Sequence, residues 1–263
     1  MAVHDWKSFF MPYEQAVEEL KVKLRSIRKE YRKRNEYSPI EFVTGRVKEI
    51  SSLLEKANKF DIPLDRLQYE IEDIAGIRIM CQFVDDIDKV VEILRGRKDM
   101  QILYEKDYVR GVKESGYRSY HIIIKYPINM AEGQKEILAE FQIRTLSMNF
   151  WATIEHSLNY KYKKQLPNHV REQLKKAADA AFALDELMLD IKDEIKDAQR
   201  LFEIKSDIIS DIMNNILSLR SIGKHMEAKR YEGQLNKLIE DGEVSELNSL
   251  LDLIKKEVRR YKD

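Results

Sequence analysis

Residues 139–145 read Ala-Glu-Phe-Gln-Ile-Arg-Thr, a strict alternation of apolar and polar side chains. This pattern predicts a β-strand, because successive side chains of a strand point to opposite faces. One face would carry Glu140, Gln142 and Arg144 in a row, about 7 Å apart at the usual rise of a strand. A carboxylate, an amide and a guanidinium in line could accept a proton, read the edge of a nucleobase and bind a phosphate. A solvated sheet face is the alternative that this segment alone leaves open.

A second candidate group surrounds an apolar strand that is predicted over residues 77–84. Asp73 precedes this strand, and Gly76 between them would allow a ligand to approach closely. Asp73 is a plausible Mg²⁺ ligand, since magnesium is often bound by one or two carboxylates together with substrate phosphates. A role in capping a helix or turn explains the same residue equally well. Cys81, the one cysteine, is predicted to be a buried core thiol.

The segment 110–118 is predicted to be a loop between two strands. Gly111 and Gly116 have the spacing of a phosphate-binding P-loop, but the Lys-Ser/Thr pair that should follow is missing and the loop does not open a helix. We therefore reject a P-loop. The loop carries Lys113, Tyr117 and Arg118, which suit stacking on a base and binding its phosphates. An ordinary hairpin loop remains the alternative.

His121 lies on the strand after this loop, and a lone histidine on a strand is usually structural. The other histidines show no spacing typical of metal ligands: His4, His156, His169 and His225. The sequence therefore predicts no metallohydrolase site.

Helices and consecutive strands must position these residues. The first long helix is predicted to begin at Pro12. A second helix is predicted from Ser38 and Pro39, as N-cap and first helical residue, with an inward face of Val43, Val47, Ile50, Leu54 and Ala57. On that helix a polar stripe would lie beside the apolar face at four-residue steps, formed by Lys48, Ser52 and Lys56.

Strands are predicted over 77–84, 100–109, 119–126 and 137–145, and the chain reads as helical from residue 146 onward. Two helices, mostly consecutive strands and then helices argue for an α+β fold over a doubly wound parallel sheet. We predict a first domain over residues 1–200, with its catalytic core over about 38–162, and an all-helical C-terminal extension over 201–263.

The composition excludes several classes of protein. No apolar run approaches the ~18 residues of a membrane span, and the N-terminus lacks the features of a signal peptide, so a cytoplasmic protein is expected. The 46 basic and 46 acidic residues of the 263 balance, so net charge indicates no particular partner. The charge is unevenly distributed, however: residues 21–34 hold eight basic residues and one acidic residue. That patch could bind phosphate although the chain as a whole is neutral.

Three segments together resemble the synthetase domain of the RelA/SpoT family: 73–78 (Asp-Ile-Ala-Gly-Ile-Arg), 115–121 (Ser-Gly-Tyr-Arg-Ser-Tyr-His) and 140–145 (Glu-Phe-Gln-Ile-Arg-Thr). The segments 39–48 and 149–161 are similar to those of the stand-alone small alarmone synthetases of the RelQ type. The resemblance covers roughly residues 5–200. It implies a nucleotidyltransferase-like domain with a mixed, mostly antiparallel central sheet of about five strands.

The resemblance also implies a GTP pyrophosphokinase, which converts ATP and GTP or GDP into AMP and pppGpp or ppGpp with Mg²⁺ as cofactor. By position, Asp73 would bind Mg²⁺, and Glu140 would take the proton of the ribose 3′-hydroxyl and also contact the metal. The implied ATP-binding residues are Arg46 and Arg78 around the adenine and Lys48, Ser52 and Lys56 on the phosphates. The implied residues for GTP are Tyr117 stacked on guanine, Lys113 on the phosphates, and His121, Gln142, Arg144 and Asn149.

The long members of the family have an N-terminal hydrolase domain, and His4-Asp5 lies too close to the start of this chain to belong to one. We therefore expect synthesis without hydrolysis. A catalytically inactive regulator that binds nucleotide or RNA is the competing hypothesis. It is disfavoured because each position that maps to a catalytic residue holds a chemically competent side chain.

The resemblance further implies a homotetramer, built from the first helix and the helices after residue 166. It also implies a central cleft that binds the product alarmone, at Lys21, Arg25, Arg28, Phe42 and Thr44. We expect pppGpp to bind there and stimulate synthesis, and single-stranded RNA to compete for the same charges. A solvated face of the helix is the alternative for the basic stripe.

Overall fold

The computed structural model describes residues 5–162, 166–239 and 242–261. The chain divides into two compact units, one ending at Leu189 and the other beginning at Asp190. This division falls within a single helix, Asn168–Ser221. The boundary predicted after residue 200 lies roughly three turns further along the same helix.

A five-stranded mixed sheet forms the centre of the first unit. Its strands are β1 (Phe42–Val47), β2 (Ala75–Cys81), β3 (Gln101–Asp107), β4 (Tyr120–Met130) and β5 (Gly133–Thr145). Their order across the sheet is β1-β2-β5-β4-β3, and only the β2–β5 pair is parallel. The expected α+β fold with a mixed, mostly antiparallel sheet is confirmed.

Helices flank this sheet and make up the described part of the second unit. They are α1 (Trp6–Lys33), α2 (Ile50–Lys59), α3 (Leu67–Glu70, preceded by a 3₁₀ turn at Leu64–Arg66), α4 (Asp85–Arg95), α5 (Leu146–Lys161), α6 (Asn168–Ser221), α7 (His225–Leu238) and α8 (Val244–Arg260). Among the described residues, no helix combines the length and the apolar character that a membrane span requires.

The two faces of the sheet differ sharply in character. On β5, Ala139, Phe141 and Ile143 are completely buried. They belong to the main core, to which α1 contributes a stripe that includes Leu20 and Leu24. The opposite face of the same strand carries Glu140, Gln142 and Arg144, so the predicted alternation is confirmed. Helix α1 therefore covers the apolar face and leaves the polar face for chemistry.

The predicted second helix was wrong in its first half, because residues 42–47 form strand β1 and α2 begins only at Ile50. Val43 and Val47 are four residues apart, a spacing that places two side chains on one face of a helix and of a strand alike. The β-branched residues Val43, Thr44 and Val47 favour the strand. Of the predicted polar stripe, Lys48 thus precedes the helix, and only Ser52 and Lys56 lie on it.

Helix α1 also begins earlier than predicted, at Trp6, and Pro12 lies inside it. Asp5 caps the helix, because its carboxylate accepts hydrogen bonds from the backbone N–H groups of Lys7 and Ser8, both at 3.2 Å. An aspartate at the N-cap satisfies N–H groups that have no partner within the helix.

The second unit has a hydrophobic core of its own. The end of α6 contributes Ile212 and Leu219, α7 contributes Tyr231, and α8 contributes Leu247 and Ile254. The described residues of this unit form helices connected by short turns, as predicted for the C-terminal extension.

Candidate active site

The strand register gathers the candidate residues on the polar face of the sheet. Gln142 on β5 lies between Arg78 on β2 and His121 on β4. Two residues earlier on β5, Glu140 pairs with Gly76 on β2, and Gly76 in turn pairs with Arg46 on β1. Residues from four neighbouring strands therefore share one surface, although they are far apart in the sequence.

Five side chains, three of them just named, form a closed ring of hydrogen bonds. Glu140 binds His121 Nδ1 through Oε1 at 2.7 Å and accepts from Gln142 Nε2 through Oε2 at 2.6 Å. Arg144 Nη2 donates to Gln142 Oε1 at 2.9 Å and to the Tyr117 hydroxyl at 2.5 Å. The Tyr117 hydroxyl lies 2.8 Å from His121 Nε2, which completes the ring.

The donors of this ring point toward Glu140. An ionised carboxylate can only accept, so His121 donates from Nδ1, and the Nε2 of a neutral imidazole would then accept from Tyr117. Burial opposes the ionisation of Glu140, but the hydrogen bonds from His121 and Gln142 outweigh it, and the pKa of Glu140 lies below its usual value. Glu140 is therefore a buried carboxylate that is ionised at neutral pH and ready to accept a proton.

Asp73 is at the centre of a second cluster. Lys48 Nζ lies 2.8 Å from its Oδ2 and Lys56 Nζ lies 2.9 Å from its Oδ1. Burial acts to raise the pKa of Asp73, but the two ammonium groups lower it below its usual value. A half-buried carboxylate is thus held between two lysines, whose ammonium groups could bind phosphate oxygens in its place.

Arg46 on β1 and Arg78 on β2 are diagonal neighbours on one face of the sheet, because Arg46 pairs with Gly76 and Arg78 pairs with Thr44. The pKa of Arg78 is lowered by burial and by the positive charges of Arg46 and Arg144. Such a pair of cations is suited to the two faces of a nucleobase or to anionic oxygens.

Several aromatic side chains lie around Tyr117, a member of the ring of hydrogen bonds. Lys113 Nζ lies 4.1 Å from the centroid of Tyr108 and 4.9 Å from that of Tyr117. The Tyr108 ring meets His121 edge-on at 5.3 Å, and the Trp151 ring lies 6.5 Å from Tyr117. The residue types around Tyr117 therefore suit a base, with a lysine available for its phosphates.

Known proteins match this sequence over most of its length. The model for the region found in RelA / SpoT proteins matches residues 45–165. The GTP pyrophosphokinase YjbM of Bacillus subtilis is 54% identical over 200 residues, which are 76% of this chain and 94% of YjbM. The GTP pyrophosphokinase YwaC of the same organism is 39% identical over 195 residues, which are 73% of this chain and 93% of YwaC.

The chain belongs to the RelA/SpoT family. Solved structures agree with the sequence match: small alarmone synthetase 1 of B. subtilis bound to its product pppGpp has a TM-score of 0.71 at 54% identity, over 73% of this chain and 99% of that chain. The same synthetase bound to AMPCPP has a TM-score of 0.65 at 50% identity, over 74% of this chain and 100% of that chain. This member of the RelA/SpoT family is a small alarmone synthetase in sequence and fold, as the sequence motifs indicated.

A metal site among the described residues of this small alarmone synthetase would combine their carboxylates with oxygen ligands from substrate or water. Within the described residues, no group of three or more His, Cys, Asp or Glu side chains could hold an ion. Asp73 and Glu140 are nevertheless close enough that the charge of Asp73 acts to raise the pKa of Glu140. Two ionised carboxylates beside a phosphate-binding surface are the kind of donor set that Mg²⁺ accepts.

The five residues of the predicted regulatory site lie at one edge of the sheet. Arg25 Nη2 donates to the carbonyl oxygen of Val43 on the edge strand β1 at 3.0 Å, and Arg28 pairs with Glu41, just before β1, at 2.9 Å. Lys21 lies alongside Gly45, where an added Cβ would meet its side chain at 3.0 Å. Phe42 and Thr44 belong to this strand, on the opposite face from Val43.

Two predicted residues lie outside the ring of hydrogen bonds, and one residue that the sequence did not indicate packs against it. Ser52 and Asn149 lie on α2 and α5, and both are half-buried and outside the ring of hydrogen bonds. Tyr108 packs against His121 and Lys113, but it was not predicted. Its position just after β3, opposite Tyr117 across the loop, was the signal that could have identified it.

Proposed function

We propose that this chain is a GTP pyrophosphokinase, which transfers the β,γ-pyrophosphate of ATP to the ribose 3′-hydroxyl of GTP or GDP and releases AMP. The observation that carries the proposal is the environment of Glu140, a buried and ionised carboxylate. It belongs to the ring of hydrogen bonds and lies near Asp73, which binds Lys48 and Lys56. The relatives YjbM and YwaC, both GTP pyrophosphokinases, support the same activity.

On the acceptor side, the ring of hydrogen bonds would orient the nucleotide. Tyr117 would stack on the guanine, Gln142 and Asn149 would contact its edge, and Lys113 would bind the phosphates. Glu140 would accept the proton of the 3′-hydroxyl as the oxygen attacks the β-phosphorus. His121 and Gln142 hold the carboxylate by hydrogen bonds at 2.7 and 2.6 Å, so it need not reorient during the reaction.

On the donor side, Arg46 and Arg78 would bracket the adenine. Lys48 and Lys56 would exchange Asp73 for phosphate oxygens, and Ser52 would donate to the same phosphates. Asp73, with Glu140 beside it, would hold Mg²⁺, which when bound neutralises phosphate charge. In the reaction the bond from the 3′-oxygen to the β-phosphorus forms, the bond from the β-phosphorus to the α-bridging oxygen breaks, and AMP leaves with that oxygen.

Purified protein incubated with ATP, GTP and Mg²⁺ tests this proposal. We expect AMP and pppGpp to form in equal amounts, or AMP and ppGpp when GDP replaces GTP, as measured by ion-exchange separation of the nucleotides. Binding of both nucleotides without any AMP would instead indicate the inactive regulator.

We also propose that the chain assembles as a homotetramer through α1 and the helices after residue 166. Along α6, Leu184, Met188, Ile191 and Ile195 recur at steps of four, three and four residues, and each is partly exposed. Apolar residues at these steps are typical of a helix that packs against another helix. Light scattering at micromolar concentration should give about four times the mass of one chain, and a monomer mass would contradict the proposal.

A regulatory site is proposed at the sheet edge formed by Lys21, Arg25, Arg28, Phe42 and Thr44. The guanidinium groups of Arg25 and Arg28 are bound there to a backbone carbonyl and to Glu41, so they are held along β1. We propose that pppGpp binds to these cations and stimulates synthesis, and that single-stranded RNA competes with it.

The double substitution Arg25→Ala and Arg28→Ala tests the regulatory site. The ratio of the rates with and without added pppGpp should fall to about one, because two charges that would bind its phosphates are removed. Lys29→Ala with Lys33→Ala removes the same charge from the same helix and should keep the wild-type ratio. Equal stimulation of wild type and the Arg25/Arg28 variant would leave these residues as a solvated stripe.

A further inference from the structure

The loop that carries Lys113 and Tyr117 has little internal structure to fix its shape. Within it, Gly116 N donates to the Lys113 carbonyl at 2.8 Å and Lys113 N donates to the Tyr117 carbonyl at 3.3 Å. Two backbone hydrogen bonds close one short turn, and most of the neighbouring side chains are exposed. The orientation of Tyr117 therefore depends on contacts with other elements, which are made by its hydroxyl with His121 and Arg144 and by the rest of the loop.

The first part of α6 packs against this loop at Gly116. Gly116 has φ +88°, and a Cβ added to it would lie 2.6 Å from the Cβ of Ala178 and 3.5 Å from the Cα of Lys175. Both the positive φ and the close approach require glycine here. The backbone of the loop is thus in direct contact with a rigid helix, one residue before Tyr117.

Arg118, one residue after Tyr117, binds the same helix. Its guanidinium carbon lies 4.3 Å from the centroid of the Phe182 ring, and Nη2 and Nη1 lie 3.3 and 3.4 Å from Asp179 Oδ1. Its side chain is only 12% exposed. Its Nε is buried and has no hydrogen-bond partner among the described residues, so the group is held by Phe182, by Asp179 and by the Gly116 carbonyl, to which Nη1 donates at 3.4 Å.

Tyr117 and Arg118 therefore point away from each other. Tyr117 faces the ring of hydrogen bonds, through His121 and Arg144, whereas Arg118 faces α6. Helix α6 also accepts a hydrogen bond from Trp151 Nε1 at the Leu174 carbonyl, 2.7 Å away. It thus braces two of the rings that form the base-binding surface.

We propose that Arg118 is a positioning residue, which anchors the acceptor loop to Asp179 and Phe182 of α6 and so sets the orientation of Tyr117 for the guanine. This inference rests on the proposed function, in which Tyr117 stacks on the acceptor. Arg118 acts through Tyr117 and does not itself contact the nucleotide. Its loss should weaken the binding of GTP and leave the binding of ATP and the rate at saturating GTP nearly unchanged.

Steady-state kinetics of Arg118→Ala provides the test. Stacking on an aromatic ring contributes to the binding of a base, so partial loss of its geometry should raise the KM for GTP roughly tenfold. The KM for ATP and kcat should stay within about twofold of wild type. Asp179→Ala should shift the KM for GTP in the same direction by a smaller factor; Asp179 is 56% exposed, so this variant keeps the assay interpretable if Arg118→Ala fails to fold.

Arg110→Ala is the matched control. Arg110 lies on the same loop and is 65% exposed, and it pairs with Asp88 at 2.7 Å and Asp107 at 2.8 Å instead of binding α6. Its removal also deletes one arginine and its ion pairs. It should leave the KM for GTP within about twofold of wild type. An equal rise in the two variants would overturn the specific role of Arg118.

A double-mutant cycle separates positioning from general stability. On the background of Tyr117→Ala, the further change Arg118→Ala should add less than about twofold to the KM for GTP, because residues that act through one another are not additive. Full multiplication of the two effects, or a wild-type KM for GTP in Arg118→Ala, would overturn the inference. If Tyr117→Ala itself leaves the KM for GTP unchanged, the assignment of the acceptor site is wrong and the inference falls with it.

Discussion

Replacing Glu140 with glutamine should lower the rate of pyrophosphate transfer by a factor of ~10²–10⁴ while both nucleotides still bind, because loss of a general base typically costs that much. Glutamine keeps the shape of the side chain but cannot accept the proton of the 3′-hydroxyl. Single-turnover rates with saturating ATP and GTP, measured beside equilibrium binding of each nucleotide, separate the two effects.

The ring of hydrogen bonds adds a smaller, second effect to this variant. Gln142 Nε2 donates to Glu140 Oε2 at 2.6 Å, and an amide nitrogen at that position would oppose one donor with another. Rotating the amide of Gln142 would remove the oxygen that Arg144 binds at 2.9 Å. The KM for GTP should therefore rise as well, but by less than the loss in kcat.

Glu136→Gln is the control for this experiment. Glu136 lies on the same strand, outside the site, and pairs with Lys125 at 2.5 Å. The substitution removes the same charge and likewise keeps the shape of the side chain. The Glu136→Gln variant should therefore keep the wild-type rate. Near wild-type turnover of a folded Glu140→Gln variant would show that another group accepts the proton.

The sequence predicted the central feature of the site because that feature depends on a local period. Alternation along 139–145 needs no knowledge of neighbouring strands, and it correctly put Glu140, Gln142 and Arg144 on one face. The same local reasoning failed at 42–47. There Val43 and Val47 satisfy the period of a helix and of a strand equally, so spacing alone could not distinguish them.

What the sequence could not supply is contact across strands. His121 reads as a lone histidine, and its role depends on the register that sets it opposite Gln142 and within reach of Glu140. Lys48 was assigned to a helix on which it does not lie, yet it reaches Asp73 together with Lys56. Arg118 was grouped with Tyr117 as a possible phosphate contact, whereas it points toward α6.

Asp73→Asn is the second change that should strongly affect the reaction. The rate with Mg²⁺ should fall by roughly 10²-fold or more, because neutralising phosphate charge is among the largest contributions to catalysis at such sites. Without Mg²⁺, the affinity for ATP should be unchanged or tighter. Lys48 and Lys56 are bound to Asp73 in the free protein, and the asparagine would leave their full charge available to the phosphates.

Asp99→Asn is the matched control for this prediction. Asp99 also lies between two cations, with Lys23 Nζ at 2.8 Å and Arg97 Nη2 at 2.6 Å, and they lower its pKa to about 2 against the opposing effect of burial. Its partner Lys23 belongs to α1, which covers the apolar face of the sheet, so loss of Asp99 should reduce stability without changing the dependence of the rate on Mg²⁺.

Two measurements decide what Asp73 contributes: the rate as a function of Mg²⁺ concentration, and the dissociation constant of ATP with and without Mg²⁺. If Asp73 is a metal ligand, the Asp73→Asn variant should need a higher Mg²⁺ concentration for activity. It should also bind ATP with the same dissociation constant with and without Mg²⁺. If ATP binding without Mg²⁺ collapses instead, the main contribution of Asp73 is to hold Lys48 and Lys56 in place through the ion pairs at 2.8 and 2.9 Å. A wild-type rate with wild-type dependence on Mg²⁺ would remove Asp73 from the reaction, and the metal would then have to be held by Glu140 and the nucleotides.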